Sequence, residues 1–191
     1  MRKIVMFNFV SMDGFYAGEG DDISWHTVDA EFDNFSAGLI KRFDAVIFGR
    51  ITYDLFAGFW PKVVDDPKAA PADRDIAKAL DDMTKIVFSH GGLKPEWKGT
   101  EVHNEIDPEF IKKLKEKPGK DIVIYGSGTI VRQLTDLGLI DEYKVIVAPI
   151  ILGKGKHLFA AAHQTTLTHT ETKDFRGGNV LLTYAPFKRI N

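Results

Sequence analysis

Cysteine is absent from the 191 residues. That excludes disulfides, thiolate metal sites and a cysteine nucleophile. The six histidines lack the spacing of metal ligands, so no metal site is expected. No apolar run approaches the length of a membrane span. Met1-Arg2-Lys3-Ile4 leads into a short apolar segment that reaches Ser11 and Asp13 without a small-residue cleavage site, so a strand is expected there in place of a signal peptide. A cytoplasmic protein without a membrane partner is the expectation. An excess of charge of one sign is also missing. A formal net charge of −2 argues against a nucleic-acid partner, while leaving room for a local basic pocket that takes a phosphorylated ligand. The chain has no internal repeat and no low-complexity tract.

Apolar residues make up 44% of the chain, enough to bury a core, and residues 1–191 read as one domain. Ile4 to Val10 is nearly all apolar, as a strand buried on both faces requires. Phe32, Phe35, Leu39 and Phe43 recur at helical spacing, with Asp29 and Glu31 in the first turn, where acids complement the helix dipole. Ala45 to Phe48, Ile86 to Phe88, Ile122 to Tyr125 and Tyr143 to Ala148 read as further strands. Asp107-Pro108-Glu109 starts a helix that Pro118-Gly119 ends, and another runs from Ile130 to Leu137. A helix is expected from Ile51 or Thr52, and Pro61 to Ala72 reads as a surface loop. Thr165 to Lys173 and Asn179 to Tyr184 read as a closing antiparallel hairpin around Arg176-Gly177-Gly178. The fold class predicted is α/β, with a mostly parallel central sheet, helices on both faces and an antiparallel C-terminal hairpin.

Two strand ends carry chemistry. Tyr125 leads into Gly126-Ser127-Gly128-Thr129 and then a helix. Glycine lets backbone approach a ligand, and the free N–H groups of a helix start attract an anion. Taken alone, the loop is as consistent with a tight turn as with a phosphate site, because the third glycine of the dinucleotide fingerprint is missing. Phe48 likewise leads into Gly49-Arg50-Ile51-Thr52, where the Arg50 guanidinium suits either a ribose 2′-phosphate or a surface carboxylate. In a parallel sheet both turns, with Ser89-His90 after a third strand, lie at one edge and together suit one extended dinucleotide.

Ser11-Met12-Asp13-Gly14, the Gly49 to Tyr53 turn and the run from Tyr125 to Phe159 resemble the C-terminal reductase domain of bacterial riboflavin biosynthesis protein, including stand-alone deaminase-reductase-like members. Most specific is the run from Gly126 through Leu137-Gly138-Leu139-Ile140-Asp141-Glu142 to Ala148-Pro149-Ile150-Ile151-Leu152-Gly153-Lys154-Gly155. The resemblance implies a dihydrofolate-reductase-like three-layer fold, NADPH as cofactor and a homodimer. It implies that Gly49, Arg50, Thr52, Ser89, Gly126, Ser127, Gly128, Thr129 and Ile130 surround the cofactor phosphates. The implied activity is that of a 5-amino-6-(5-phosphoribosylamino)uracil reductase, with hydride transfer to a small-molecule substrate. Alternatives are dihydrofolate reduction and a non-catalytic NADPH-binding module. The chain departs from the pattern at Phe15, where those reductases carry lysine, and at Thr52-Tyr53-Asp54-Leu55-Phe56-Ala57-Gly58, so substrate identity transfers less securely than cofactor binding. No zinc deaminase domain is expected in these residues, since its metal ligands include cysteine.

Hydride reduction also uses a proton donor. Asp13 is the catalytic candidate, against an Asx turn that shapes the loop. Asp29 and Glu31 are candidates because a dihydrofolate reductase carries an acid on the corresponding helix. Trp25, Gly153 and Lys154 are candidates for the substrate side, with His157 and Lys156 beside Lys154, against a core tryptophan and a solvated basic loop.

Overall fold

Successive side chains of a strand point to opposite faces, and the apolar strands of this chain use both. A computed structural model describes residues 1–187. The strands are β1 (Ile4–Ser11), β2 (Phe15–Ala17), β3 (Phe43–Gly49), β4 (Thr84–Phe88), β5 (Thr100–His103), β6 (Asp121–Tyr125), β7 (Glu142–Ala148), β8 (Lys156–His157), β9 (Leu167–Asp174) and β10 (Val180–Pro186). The helices are α1 (Ala30–Leu39), α2 (Arg50–Val63), α3 (Pro71–Asp82), α4 (Pro108–Glu116) and α5 (Gly128–Asp136).

Eight strands form one sheet in the order β5-β4-β3-β6-β1-β7-β10-β9. The pairings from β5 to β7 are parallel, and β10 runs antiparallel to both β7 and β9. Ile4, Met6, Ile47 and Ile124 feed one core with Ile111 of α4 and Leu134 of α5. Val5, Phe7, Val46 and Val123 feed the other with Phe32 of α1, Tyr53 of α2 and Leu80 of α3. The result is the three-layer α/β fold expected from the sequence. The two short strands β2 and β8 pair as a separate ribbon, Phe15 opposite His157 and Ala17 opposite Lys156.

One expectation is corrected, and one element is new. The stretch from Pro61 to Ala72 is not all loop: α2 starts at Arg50 and runs through Pro61 to Val63, and α3 starts at Pro71. Pro61 lies in the last turn of α2, where its missing N–H removes one hydrogen bond shortly before the helix ends, and Pro71 takes the first helical position of α3, which suits its fixed φ. The four-residue edge strand β5 was not expected at all.

Candidate functional site

Strands β1 and β6 are parallel neighbours, but the chain leaves β1 for α1 on one face and β6 for α5 on the other. The carboxyl ends of such strands leave a crevice where ligands sit. Two cavities, of about 660 and 530 Å³, open at this sheet edge and share Tyr16, Asp21, Ile51 and Thr52 in their walls.

The first cavity is built on the two glycine turns. The opening residues of α2 (Gly49 to Thr52) and of α5 (Ser127 to Ile130) line it. Neither helix has a side-chain cap. By contrast α1 and α4 are capped, by Asp29 accepting from Phe32 N at 2.8 Å and Asp107 accepting from Glu109 N at 2.9 Å. The donors that a cap would satisfy are therefore left for a ligand. The turns also abut each other. A Cβ on Gly49 would collide with the Ser127 hydroxyl, and one on Gly126 (φ +61°) would lie 2.7 Å from Thr52 Oγ1. Ser127 itself is left-handed, at φ 54° and ψ 70°, a conformation that costs a non-glycine residue about 1–2 kcal/mol. Asn8 clamps the loop from β1: its Oδ1 accepts from Gly126 N at 2.7 Å and its Nδ2 donates to Gly126 O at 3.3 Å.

Arg50 and Lys156 bring positive charge to this cavity, and Asp21 and Glu105 bring negative charge. Arg50 Nε also donates to Asp54 Oδ2 at 2.6 Å in an exposed i,i+4 pair, the kind that contributes little and exchanges readily. Lys156 pairs with Asp21, which raises its ammonium above the usual lysine range. Uncapped helix starts, two glycine cradles and two cations fit the phosphates of a dinucleotide.

The second cavity has a different chemistry. Its walls are mainly apolar and aromatic, among them Phe9, Phe56, Trp60 and Tyr125. Asp33 of α1 lines it, and burial first, then the Asp73 and Asp29 charges, raise its carboxyl above the usual carboxylate range. His26 stacks on Phe9 at 4.6 Å, and burial pushes its imidazole down to about 4. The buried His26 Nε2 and Ser36 Oγ have no hydrogen-bond partner among the described residues.

Residues 2–181 match the family model of the RibD C-terminal domain. The chain belongs to that family. Membership implies a reductase-type enzyme of the riboflavin-pathway kind. The uncharacterized protein YyaP of Bacillus subtilis (strain 168) is 30% identical over 186 residues, 96% of this chain and 94% of that protein. Among solved structures, RibD of Acinetobacter baumannii superposes with a TM-score of 0.70 at 18% identity, covering 98% of this chain and 59% of that one. Dihydrofolate reductase from Enterococcus faecalis, complexed with NADP(H) and RAB-propyl, superposes with a TM-score of 0.64 at 14% identity over 97% of both chains. The dihydrofolate-reductase-like fold expected from the sequence is thus the observed one.

Within this RibD-type fold, Gly49, Arg50, Thr52, Ser127, Gly128, Thr129 and Ile130 gather on the first cavity and Gly126 on the second. Ser89 does not join them. It is buried, its N–H donates to His103 O at 2.9 Å, and the neighbouring His90 lines the first cavity in its place. Asp13 lines neither cavity. Its carboxylate accepts from Ser11 Oγ at 2.6 Å, Gly153 N at 2.7 Å and Leu152 N at 3.2 Å, and these bonds, led by Ser11, lower it to about 2. A group so acidic donates no proton at neutral pH, so Asp13 is corrected from catalyst to loop staple. Gly153 belongs to that staple, and Lys154 pairs with Glu19 at 3.0 Å outside both cavities.

Trp25 is a backing residue: it is buried, donates from Nε1 to Asp22 O at 3.1 Å and sets its ring edge-on to His26. His157 stacks on Phe15 at 4.0 Å, so the position where related reductases were expected to carry lysine is packed shut. Asp29 is spent as a cap, and Glu31 pairs with Lys173 at 3.4 Å. The acid that reaches the cavity from α1 is Asp33, which was not singled out. Asn8, His26 and Ser36 complete the residues that pattern alone did not assign, while Lys156, a candidate for the substrate side, lines the first cavity. Of these, only Asn8 left a signal, a lone amide between Phe7 and Phe9 in an apolar strand.

Proposed function

We propose that the chain is an NADPH-dependent reductase of a small heterocyclic substrate, with the cofactor in the first cavity and the substrate in the second. The observation that carries this is the meeting of two uncapped helix starts, Arg50 and Lys156 in one cavity that joins an aromatic one at Thr52 and Tyr16. NADPH, when bound, supplies a hydride to the substrate. Arg50, released from Asp54, is the group for the ribose 2′-phosphate. The N–H groups that start α2 and α5 take the pyrophosphate. Asn8 keeps the Gly126 loop in position. Asp33 holds its proton to higher pH than an ordinary carboxyl and delivers it to the substrate from the wall of the second cavity.

The test is titration of NADPH and NADH followed by nicotinamide fluorescence. NADPH is expected to bind more tightly, and Arg50→Ala to weaken NADPH by about 10–100-fold while leaving NADH nearly unchanged, as loss of a hydrogen-bonded charge pair implies. An unaltered NADPH/NADH ratio in the variant would refute the role given to Arg50. A second reading, dihydrofolate reduction, is favoured by Asp33 on α1. NADPH oxidation on addition of dihydrofolate decides it.

A further inference from the structure

The second cavity differs from the first in its charged groups: the first sets Arg50 and Lys156 beside Asp21 and Glu105, whereas the second has acids alone among its charged described residues. Among the described residues no lysine or arginine lines its wall, and the charged groups there are Asp21, Asp33 and Asp73. Asp21 is matched by Lys156, whereas the charges that act on Asp33 are those of Asp73 and Asp29. His26 adds no positive charge, since burial keeps its ring neutral at physiological pH. The cations of the crevice, Arg50 and Lys156, stand in the first cavity. Aromatic walls exclude water and leave charge poorly screened, so an anion entering the second cavity would meet repulsion and no counter-ion.

From this we infer that the second cavity takes a flat heteroaromatic substrate that is uncharged or cationic, and rejects one that carries a phosphate or carboxylate. The inference rests on the reading of that cavity as the substrate's. Phe9, Phe56, Trp60 and Tyr125 offer faces and edges for an aromatic ring. His26 Nε2 and Ser36 Oγ, buried without partners among the described residues, suit hydrogen bonds that ring nitrogens and amino groups can supply. The Asp33 carboxyl accepts from an amino edge or pairs with a protonated ring. A phosphoribosyl group finds none of its requirements here. Its natural counter-ions lie in the first cavity, which the cofactor's own phosphates occupy in the proposed complex.

Pterin and pterin-6-carboxylate form a fluorescent pair that differs by one carboxylate. Their affinities are compared by fluorescence anisotropy, without NADPH. Pterin is expected to bind, and its carboxylate to bind at least about tenfold more weakly. Asp33→Asn, which removes a negative wall charge, should narrow the gap. Leu55→Arg, which sets a cation on the exposed part of the wall, should narrow it further. Equal or tighter binding of the carboxylate, no pterin binding, or a gap that neither variant changes would each overturn the inference. Because the cofactor is left out, a chain that fails to bind NADPH still reports the pterin ratio. A chain that binds NADPH but not pterin loses this inference alone.

Discussion

Asp33 lies in the first turn of α1, where the helix dipole alone would favour its negative charge. The net effect in the fold is the opposite, because burial and the charges of Asp73 and Asp29 raise its carboxyl. For an acid raised on folding, the stability it contributes is present below the unfolded value and is lost as pH rises through the folded one. Asp33→Asn is therefore expected to melt higher than the parent at pH 7, with the difference vanishing below about pH 4. A like-charge pair at i,i+4 costs about 0.2–0.5 kcal/mol, so the gain is on the order of 1 °C. A calorimetric melt at pH 7 showing a lower Tm for the variant would mean that the dipole prevails and that Asp33 is an ordinary surface acid. Sequence pattern could not select it. Asp29, Glu31 and Asp33 alternate along one segment, and which acid reaches a cavity depends on the helix phase relative to α3 and the sheet, a tertiary quantity. The same limit hid His26 and Ser36, each a common residue type whose lack of a partner exists only once the walls have closed.

At the scale of elements, strands β1, β3 and β6 and the glycine turns after β3 and β6 were legible because burial on both faces forces continuous apolar runs, and close contact between turns forces glycine. Helix α3 was not, since only Ala77 and Leu80 of its residues are buried and its composition is polar. Edge strand β5 (Thr-Glu-Val-His) is short and polar, as edges that avoid pairing tend to be. The Asp13 staple was misread for a related reason: an Asp-Gly pair after a strand is compatible with a turn, a catalyst or a clamp, and only the arrival of Leu152 and Gly153 decides among them. That staple joins the β1–β2 loop to the segment leading into β8, and β2 and β8 carry Tyr16 and Lys156 to the first cavity. Asp13→Ala should therefore loosen the ribbon and raise the NADPH Kd several-fold, though Asp13 touches neither cavity. Its carboxyl is depressed, so its contribution to stability is present above about pH 4 and is lost as pH falls toward about 2. Acid melts of parent and variant should converge across that window; curves that stay parallel would show that the staple bears no load.

For the molecule as a whole, the described residues divide the charges of the crevice: its cations, Arg50 and Lys156, line the first cavity beside Asp21 and Glu105, and acids and neutral rings line the second. The division has a consequence for acid stability. His26 is the residue in the second cavity's wall whose ionisation would break the pattern, because a cation there would have to be buried between Phe9 and Trp25. Desolvation lowers its ring to about 4, against the ordinary 6.5. Between these values the unfolded chain binds the proton that the folded chain refuses. Stability must then fall as pH drops from about 6.5 toward 4, by roughly 2–3 kcal/mol if the whole shift is realised. The window lies above that of Asp13, so the two effects separate along the pH axis. His26→Phe keeps a ring against Phe9 and removes the titration. Urea unfolding of parent and variant at pH 7 and pH 4.5 should show the parent losing more stability than the variant, and losing it without any change in the Asp13 window below pH 4. Equal losses in the two proteins would mean that the imidazole is hydrated in the folded state, and the second cavity would then no longer be a site without cations in acid.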